Sequence, residues 1–351
     1  MNDSRVIHCV FYETRILFRG TKTPEKAVTD QALIRSRDLN VEISATAVCV
    51  VAMLLGSYYL TLIATGAIED IAQRVLFTLI YILPVITLFA LLERKMPAMT
   101  HKSAKEWALT TRITLVLLIG QQSAGVLAVY IAGVLSRYFD VGWMDFRFAD
   151  GTGIIGLIAA ALLSLFIGDF FYYWFHRLEH KTKFLWQGHK LHHMDENLNV
   201  LSEFRAHWIE PTVALAFTTI PLVFLFKFDP LIGLAGTINF LLTLTWGMFF
   251  HSNLRIQLGW ASPLLSGPQL HRIHHSVLPE HHDRNFAAVF PIWDVIFGTY
   301  HHPARDEFPP TGLTSERQVR TCAEAVLLPF REWWRMLSRY WSRPQGYAGN
   351  T

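Results

Sequence analysis

Apolar residues in this chain come in long unbroken blocks, not in the alternation of half-buried strands or the single stripe of a soluble amphipathic helix. Four blocks have the ~20-residue length that carries a helix across a bilayer: about 43–68, 71–92, 108–135 and 152–175. Pro84 predicts a kink in the second. Arg112 lies near the start of the third, where a long side chain can snorkel to the headgroups. The fourth ends in Phe170-Phe171-Tyr172-Tyr173-Trp174-Phe175, the aromatic belt favoured at a membrane surface. A shorter pair, 211–226 and 230–250, predicts a helical hairpin, crossing fully or inserted partway, that begins and ends on the same side. The expected fold is an all-α, multi-pass integral membrane protein.

The polar stretches divide the chain. Residues 1–41 read as a partly disordered cytoplasmic lead without the compact apolar run of a secretory signal. Transmembrane helices fill 42–149, a histidine-bearing unit 150–305, and an amphipathic tail 306–351. The tail contains Arg331-Glu332-Trp333-Trp334-Arg335 and suits either a helix in the membrane interface or one packed on the protein. The lead holds seven Lys or Arg before the first span and the loop 93–107 holds four, against none at 69–70 and two in 136–151. The positive-inside bias therefore places the lead and loop 93–107 in the cytoplasm, so the fourth span delivers His176 to that side.

Composition agrees: 52% of residues are hydrophobic and 17% charged, where soluble domains carry about a quarter charged. A net charge of +3 gives no reason to expect a nucleic-acid partner. Cys9, Cys49 and Cys322 are too scattered for a disulfide framework or a cysteine zinc site.

What changes the picture is histidine, present sixteen times and concentrated where the apolar blocks stop. His176 and His180 stand four apart; His189 precedes His192 and His193 by three and four, and His271 precedes His274 and His275 likewise. On a helix such residues share a face. Eight imidazoles exceed the four ligands of a tetrahedral zinc ion, and two metals are the economical reading. His207 and His251 are placed to join them. Second ring nitrogens of ligating histidines need acceptors, and Asp169, Glu179, Asp195, Glu196, Glu203, Glu210 and Asp283 are the candidates. Asp169 ranks first, two turns before His176 in an apolar stretch where an unpaired carboxylate is costly. His281, His282, His301 and His302 in their polar loops, with His8 and His101, read as solvent-facing.

These residues carry a family resemblance. "GDFFYYWFHRLEH", "WQGHKLHHMDENLNVLSEFRAHWIEP", "FFHSNLR", "GPQLHRIHH" and "DRNFAAVFPIWDVIFGTY" resemble, in order, the motifs of the fatty acid hydroxylase/sterol desaturase superfamily across about 165–300. Its HxxxH falls on His176 and His180, and its two HxxHH motifs on His189, His192, His193 and on His271, His274, His275. Glu196, Asn199, Arg205, His207 and Glu210 fit the bacterial pattern. Ala287 departs from a common glycine and Trp208 from a common proline. Several spans ahead of the motifs are similar to the alkylglycerol monooxygenase branch.

The resemblance implies a non-haem di-iron monooxygenase, hydroxylase or desaturase. It would take two iron ions, dioxygen as co-substrate, and a lipid or sterol-like substrate from the bilayer. Asp169, Glu196, Asn199 and Asp283 would support the cofactor. With no Rossmann glycines, haem motif or cysteine cluster, electrons would come from a separate redox partner or a diffusible reductant. Two other readings stay open. A metal transporter would need ionisable residues in mid-span, and the first three spans offer only Arg74 and Arg112, each near an end; a zinc hydrolase would leave most of the histidines without a role.

Overall fold

A computed structural model describes residues 78–100, 103–139, 153–226, 230–314 and 316–341. The polar lead, the first expected span and the start of the second lie outside the described residues. Nine α-helices order the described chain: α1 Leu83–Lys95, α2 Ala104–Phe139, α3 Gly153–Lys181, α4 Lys183–His193, α5 Ile209–Leu225, α6 Pro230–His251, α7 Pro268–His274, α8 Ile292–Ile296 and α9 Cys322–Trp341. Short 3₁₀ turns at Val200–Phe204, Gly259–Ala261 and Pro279–His281 link them. Among the described residues extended pairing is limited to two isolated bridges, Pro97 with Leu254 and Ser276 with Thr311. The fold is helical, as expected.

At Pro84, where the sequence predicts a kink, the structure shows a change of helix type. A π-helical turn, Thr78–Ile82, gives way to α1 with Pro84 in its first turn, where the missing N–H leaves no bond unmade. The expected third span falls within the 36-residue α2. Among the described residues α3 alone is long and apolar enough to cross a membrane. Ile154, Ile158 and Leu162 form an exposed stripe at helical spacing on it. The apolar segments in α2 and α5, Trp107–Leu118 and Ile209–Leu222, are shorter.

α3 packs on α5 and α6, α2 on α5, and α4 folds back along α3 beneath α9. Ile113 and Leu117 of α2, Leu191 and Met194 at α4, and Ala325 and Leu328 of α9 form one buried cluster. A second joins Val200, Leu201 and Phe204 to Met248 of α6. Glu93, at the end of α1, is buried and accepts the backbone N–H groups of Val200 (2.7 Å) and Asn253 (2.8 Å), tying α1 to that 3₁₀ turn and to the residues after α6. A carboxylate so placed offsets its desolvation by charge-assisted bonds.

The consequence for the site is directional. α3, α4, α6 and α7 all carry histidines in their last turns. The unsatisfied carbonyls of a helix C-terminus make that end partially negative, so convergence of four such ends favours cations.

Candidate metal centre

Nine histidines meet in two adjoining groups. Ring nitrogens of His176, His180, His189, His193 and His274 lie within 4.8 Å of one another, and so do those of His192, His251, His271 and His275. In the first group Nε2 of His189 is 3.1 Å from that of His176 and 2.9 Å from that of His193, which is 3.1 Å from that of His180. In the second, Nε2 of His251 is 3.0 Å from that of His192 and 2.8 Å from that of His271, which is 3.0 Å from that of His275. The groups touch where the rings of His193 and His275 stack at 4.3 Å.

Each of these short separations is a hydrogen bond only where one of the two rings carries its proton on Nε2. The Nδ1–H of His176 donates to the Phe286 carbonyl (2.7 Å), that of His251 to Gly247 (2.9 Å) and that of His274 to Arg284 (2.8 Å). A neutral imidazole has one N–H, so in these three rings Nε2 bears a lone pair. Beside His189 Nδ1 stand two carboxylates, Glu210 at 3.1 Å and Glu179 at 3.6 Å, as charge neighbours with no hydrogen bond to that nitrogen. Lone pairs facing one another across ~3 Å repel unless a cation lies between them. Two nitrogens ~2.1 Å from one ion and at right angles stand ~3 Å apart, the spacing observed. His274 Nε2 is likewise buried without a hydrogen-bond partner. The donor set fits two metal ions, held by five and by four imidazoles.

Electrostatics keep the rings in their ligating form. Burial first, then the neighbouring imidazoles, hold His189, His192, His193, His271 and His275 well below the usual histidine range. Burial also brings His274 to about 4, against the opposing pull of its bond to Arg284. All are neutral at pH 7, as metal binding requires.

The supporting shell differs from the sequence expectation. Asp169 turns away from the imidazoles and accepts the N–H groups of Ala288 (3.1 Å), Val289 (3.0 Å) and Phe290 (2.8 Å). It is indeed a paired buried carboxylate, but its partners are backbone. Asn199 caps the Val200–Phe204 turn through the Leu201 N–H (3.0 Å), Asp195 pairs with Arg205 (3.0 Å), and Glu196 lies against Gly312. Asp283 reaches Lys181 and stands 3.8 Å from His180 Nδ1. The carboxylates that face ligand rings are Glu179, Glu210 and Glu203, the last 2.8 Å from His251 Nδ1. Glu203 gets there over Gly247, where a Cβ would stand 2.5 Å from its carboxylate, so glycine leaves that path open.

His207 joins neither group. Its Nε2 donates to the Val326 carbonyl of α9 (3.0 Å), and its Nδ1 faces the Ile209 N–H (3.4 Å). The neighbouring Trp208 covers Gly120 of α2, where a Cβ would meet its side chain at 2.8 Å. His281 and His301, expected in solvent, are corrected too: His281 is buried and His301 half-buried, together with Glu307.

The "DRNFAAVFPIWDVIFGTY" motif is a knot beside the first group. Asp294 accepts the N–H groups of Phe286 (2.7 Å) and Ala287 (2.9 Å) and the Thr299 hydroxyl (2.7 Å), which also meets Tyr173 of α3 at 2.9 Å. The knot aims the Phe286 carbonyl at His176. Ala287 is not among the positive-φ residues, so nothing there requires glycine.

Comparison with known proteins agrees with the motifs. Residues 161–299 match the family model described as fatty acid hydroxylase. Ornithine lipid hydroxylase OlsE of Rhizobium tropici is 32% identical over 155 residues, 44% of this chain and 46% of that protein. Alkylglycerol monooxygenase of Homo sapiens is 32% identical over 182 residues, 52% of this chain and 38% of that protein. Lathosterol oxidase of Rattus norvegicus is 28% identical over 182 residues, 50% of this chain and 54% of that protein. The chain spans about half or less of the curated relatives it matches. No solved structure matches it.

Proposed function

We propose that the chain is a multi-pass membrane oxidoreductase that holds two iron ions and uses dioxygen to oxidise a C–H bond of a lipid or sterol-like substrate. The observation that carries this reading is the pair of inward-facing Nε2 groups, five and four nitrogens, with several Nδ1 protons committed to outer acceptors. His176, His180, His189, His193 and His274 would hold one ion, and His192, His251, His271 and His275 the other. Bound there, the irons would supply dioxygen activation and the oxidising power that no side chain has.

The protein's own work is orientation. The Phe286, Arg284 and Gly247 carbonyls, with Glu203 at His251, keep protons on Nδ1 and lone pairs aimed inward, while Glu210 and Glu179 stand beside His189. Burial of all but His180 among the nine rings excludes water, which protects an oxidising site from side reactions. The three glutamates bring negative charge to balance the cations.

Membrane placement follows from the apolar α3 and the pattern of apolar blocks ahead of it, with the site on the cytoplasmic side by the positive-inside bias. Leu327, Trp334, Leu337 and Trp341 expose an apolar face on α9 beside Arg331 and Arg335, as suits a helix lying on the membrane surface. The substrate would enter sideways from the bilayer. The names of the relatives, which include a lipid hydroxylase and a monooxygenase, favour oxygen insertion over desaturation. Electrons would come from a separate donor.

Lipid mass spectrometry under isotopically labelled dioxygen tests the reading, with cells expressing the chain compared with cells expressing His192→Ala. A species heavier by one labelled oxygen supports hydroxylation, and loss of two hydrogens supports desaturation. No lipid difference, with one zinc per purified chain, would replace the proposal with hydrolysis; metal-dependent cell protection alone would replace it with transport.

A further inference from the structure

His281, His301 and Glu307 lie outside the nine-histidine centre and meet only through the fold. His281 closes the Pro279–His281 turn, His301 follows the Gly298-Thr299-Tyr300 end of the aromatic motif, and Glu307 comes six residues later. His281 Nε2 is 3.0 Å from Glu307 Oε1, and His301 Nε2 is 3.4 Å from Glu307 Oε2. The two rings are 4.8 Å apart at 70°. One nitrogen from each and a carboxylate oxygen fall within 4.8 Å of one another.

The arrangement is held from outside. Glu307 Oε2 accepts the Ala304 N–H (2.7 Å), and the Ala304 and Glu307 carbonyls accept from Gln269 Nε2 (3.0 and 3.2 Å). The His281 side chain is 2% exposed and its Nδ1 has no hydrogen-bond partner. Side-chain exposure of His301 (26%) and Glu307 (23%) leaves one side of the cluster open to solvent. Two imidazoles and a carboxylate with an open position are a donor set that suits zinc and its neighbours.

We propose that His281, His301 and Glu307 bind a third divalent transition-metal ion, of the zinc class, separate from the two nine-histidine groups. Its place gives it a use. Between His281 and His301 the chain passes through Arg284 and Phe286, whose carbonyls hold His274 and His176. That stretch includes Asp283 and Asn285 at positive φ (60° and 57°), a backbone state that costs energy outside glycine. Joining its two ends through one ion would hold it in register with the main centre.

The test is zinc stoichiometry on the purified full chain, comparing wild type with Glu307→Gln and His301→Ala. Both altered residues are partly exposed, so folding is spared. The amide oxygen introduced by Glu307→Gln can still accept from His281, so this variant keeps a hydrogen-bonded clamp while removing the anionic ligand. One fewer zinc ion per chain in each variant, with the rest of the metal retained and the zinc-induced rise in thermal midpoint reduced, is the expected result. Equal zinc content in all three proteins would overturn the site and leave only a clamp. Metal remaining in the variants reports on the main centre separately, so failure of the di-iron reading is distinguishable from failure of this one.

Discussion

The two histidine groups share the ends of α4 and α7, add α3 in one case and α6 in the other, and are secured differently. The five-nitrogen group leans on the loop after α7, through the carbonyls of Arg284 and Phe286, and shares two glutamates at His189. The four-nitrogen group leans on α6 itself, through Gly247, and on a single glutamate at His251. The first has a ligand and a carboxylate to spare; the second has neither. Redundancy, not burial, is what separates them.

Removing one ligand from each group is the strongest way to break that contrast. His192→Ala leaves three nitrogens in the lean group and is expected to lose that group's metal and all measurable turnover. His180→Ala leaves four in the other, on the ring that is the least buried of the nine, and should retain metal with turnover reduced but detectable. Metal per chain and product formation measured on both proteins check this. Equal losses would show that the fifth nitrogen is no reserve.

Acid should act on both groups together. The folded pKa of His274 is about 4 against an ordinary 6.5, and the depressed rings of His189, His192, His193, His271 and His275 shift the same way. Between those values the unfolded chain takes up protons that the folded chain refuses. The stability these rings contribute is therefore whole above about 6.5 and is lost as pH falls toward 4, at up to ~1.4 kcal/mol per pH unit per ring. Bound metal adds to the effect, because protons compete for the same lone pairs. Thermal midpoint and metal content followed from neutral pH downward should fall steeply below about 6.5, and a flat profile would contradict neutral buried imidazoles.

A subtler lever is Glu203. Its replacement by glutamine removes the one carboxylate beside His251 among the described residues, and such outer partners are worth ~10–100-fold in metal affinity. Gly247→Ala should give a similar loss from the opposite direction, since the added Cβ falls 2.5 Å from the Glu203 carboxylate and must displace it. Competition with a metal chelator would measure both. Unchanged affinity in Glu203→Gln would mean that the Gly247 carbonyl suffices to orient the ring.

The histidine clusters were legible because their geometry is local: spacings of three and four on a helix put rings on one face before any tertiary contact forms. His251 was legible through topology, since a hairpin that returns to its starting side must deliver its last residue beside the others. The outer shell was legible in part: Glu179, Glu203 and Glu210 were among the candidates and stand beside the rings, but the first-ranked Asp169 does not. Asp169 was rightly expected to be paired, but its partners are backbone N–H groups about 120 residues away, and no pattern near Asp169 announces them. His281 and His301 sit in polar sequence that suggests exposure, and what brings them together is their shared contact with Glu307. Pro84 shows a middle case, in which the disturbance was predictable but not its form, a π-helical turn running into an α-helix.

The smallest effect expected is also the sharpest test of redundancy. Glu210→Gln removes the nearer of the two carboxylates at His189, 3.1 Å from Nδ1, and by distance alone should rival Glu203→Gln. It should not, because Glu179 stands 3.6 Å from the same nitrogen and is itself buried. Two carboxylates this close to one N–H also repel each other in a medium that screens poorly, so losing one charge relieves the other. Glu179 can then take the proton of His189 alone, with the glutamine still filling the space. Metal affinity of the five-nitrogen group is expected to fall well short of the ~10-fold minimum typical of an unshared outer partner. A loss in Glu210→Gln as large as that in Glu203→Gln would mean that Glu179 serves another purpose, and that the two groups are equally lean.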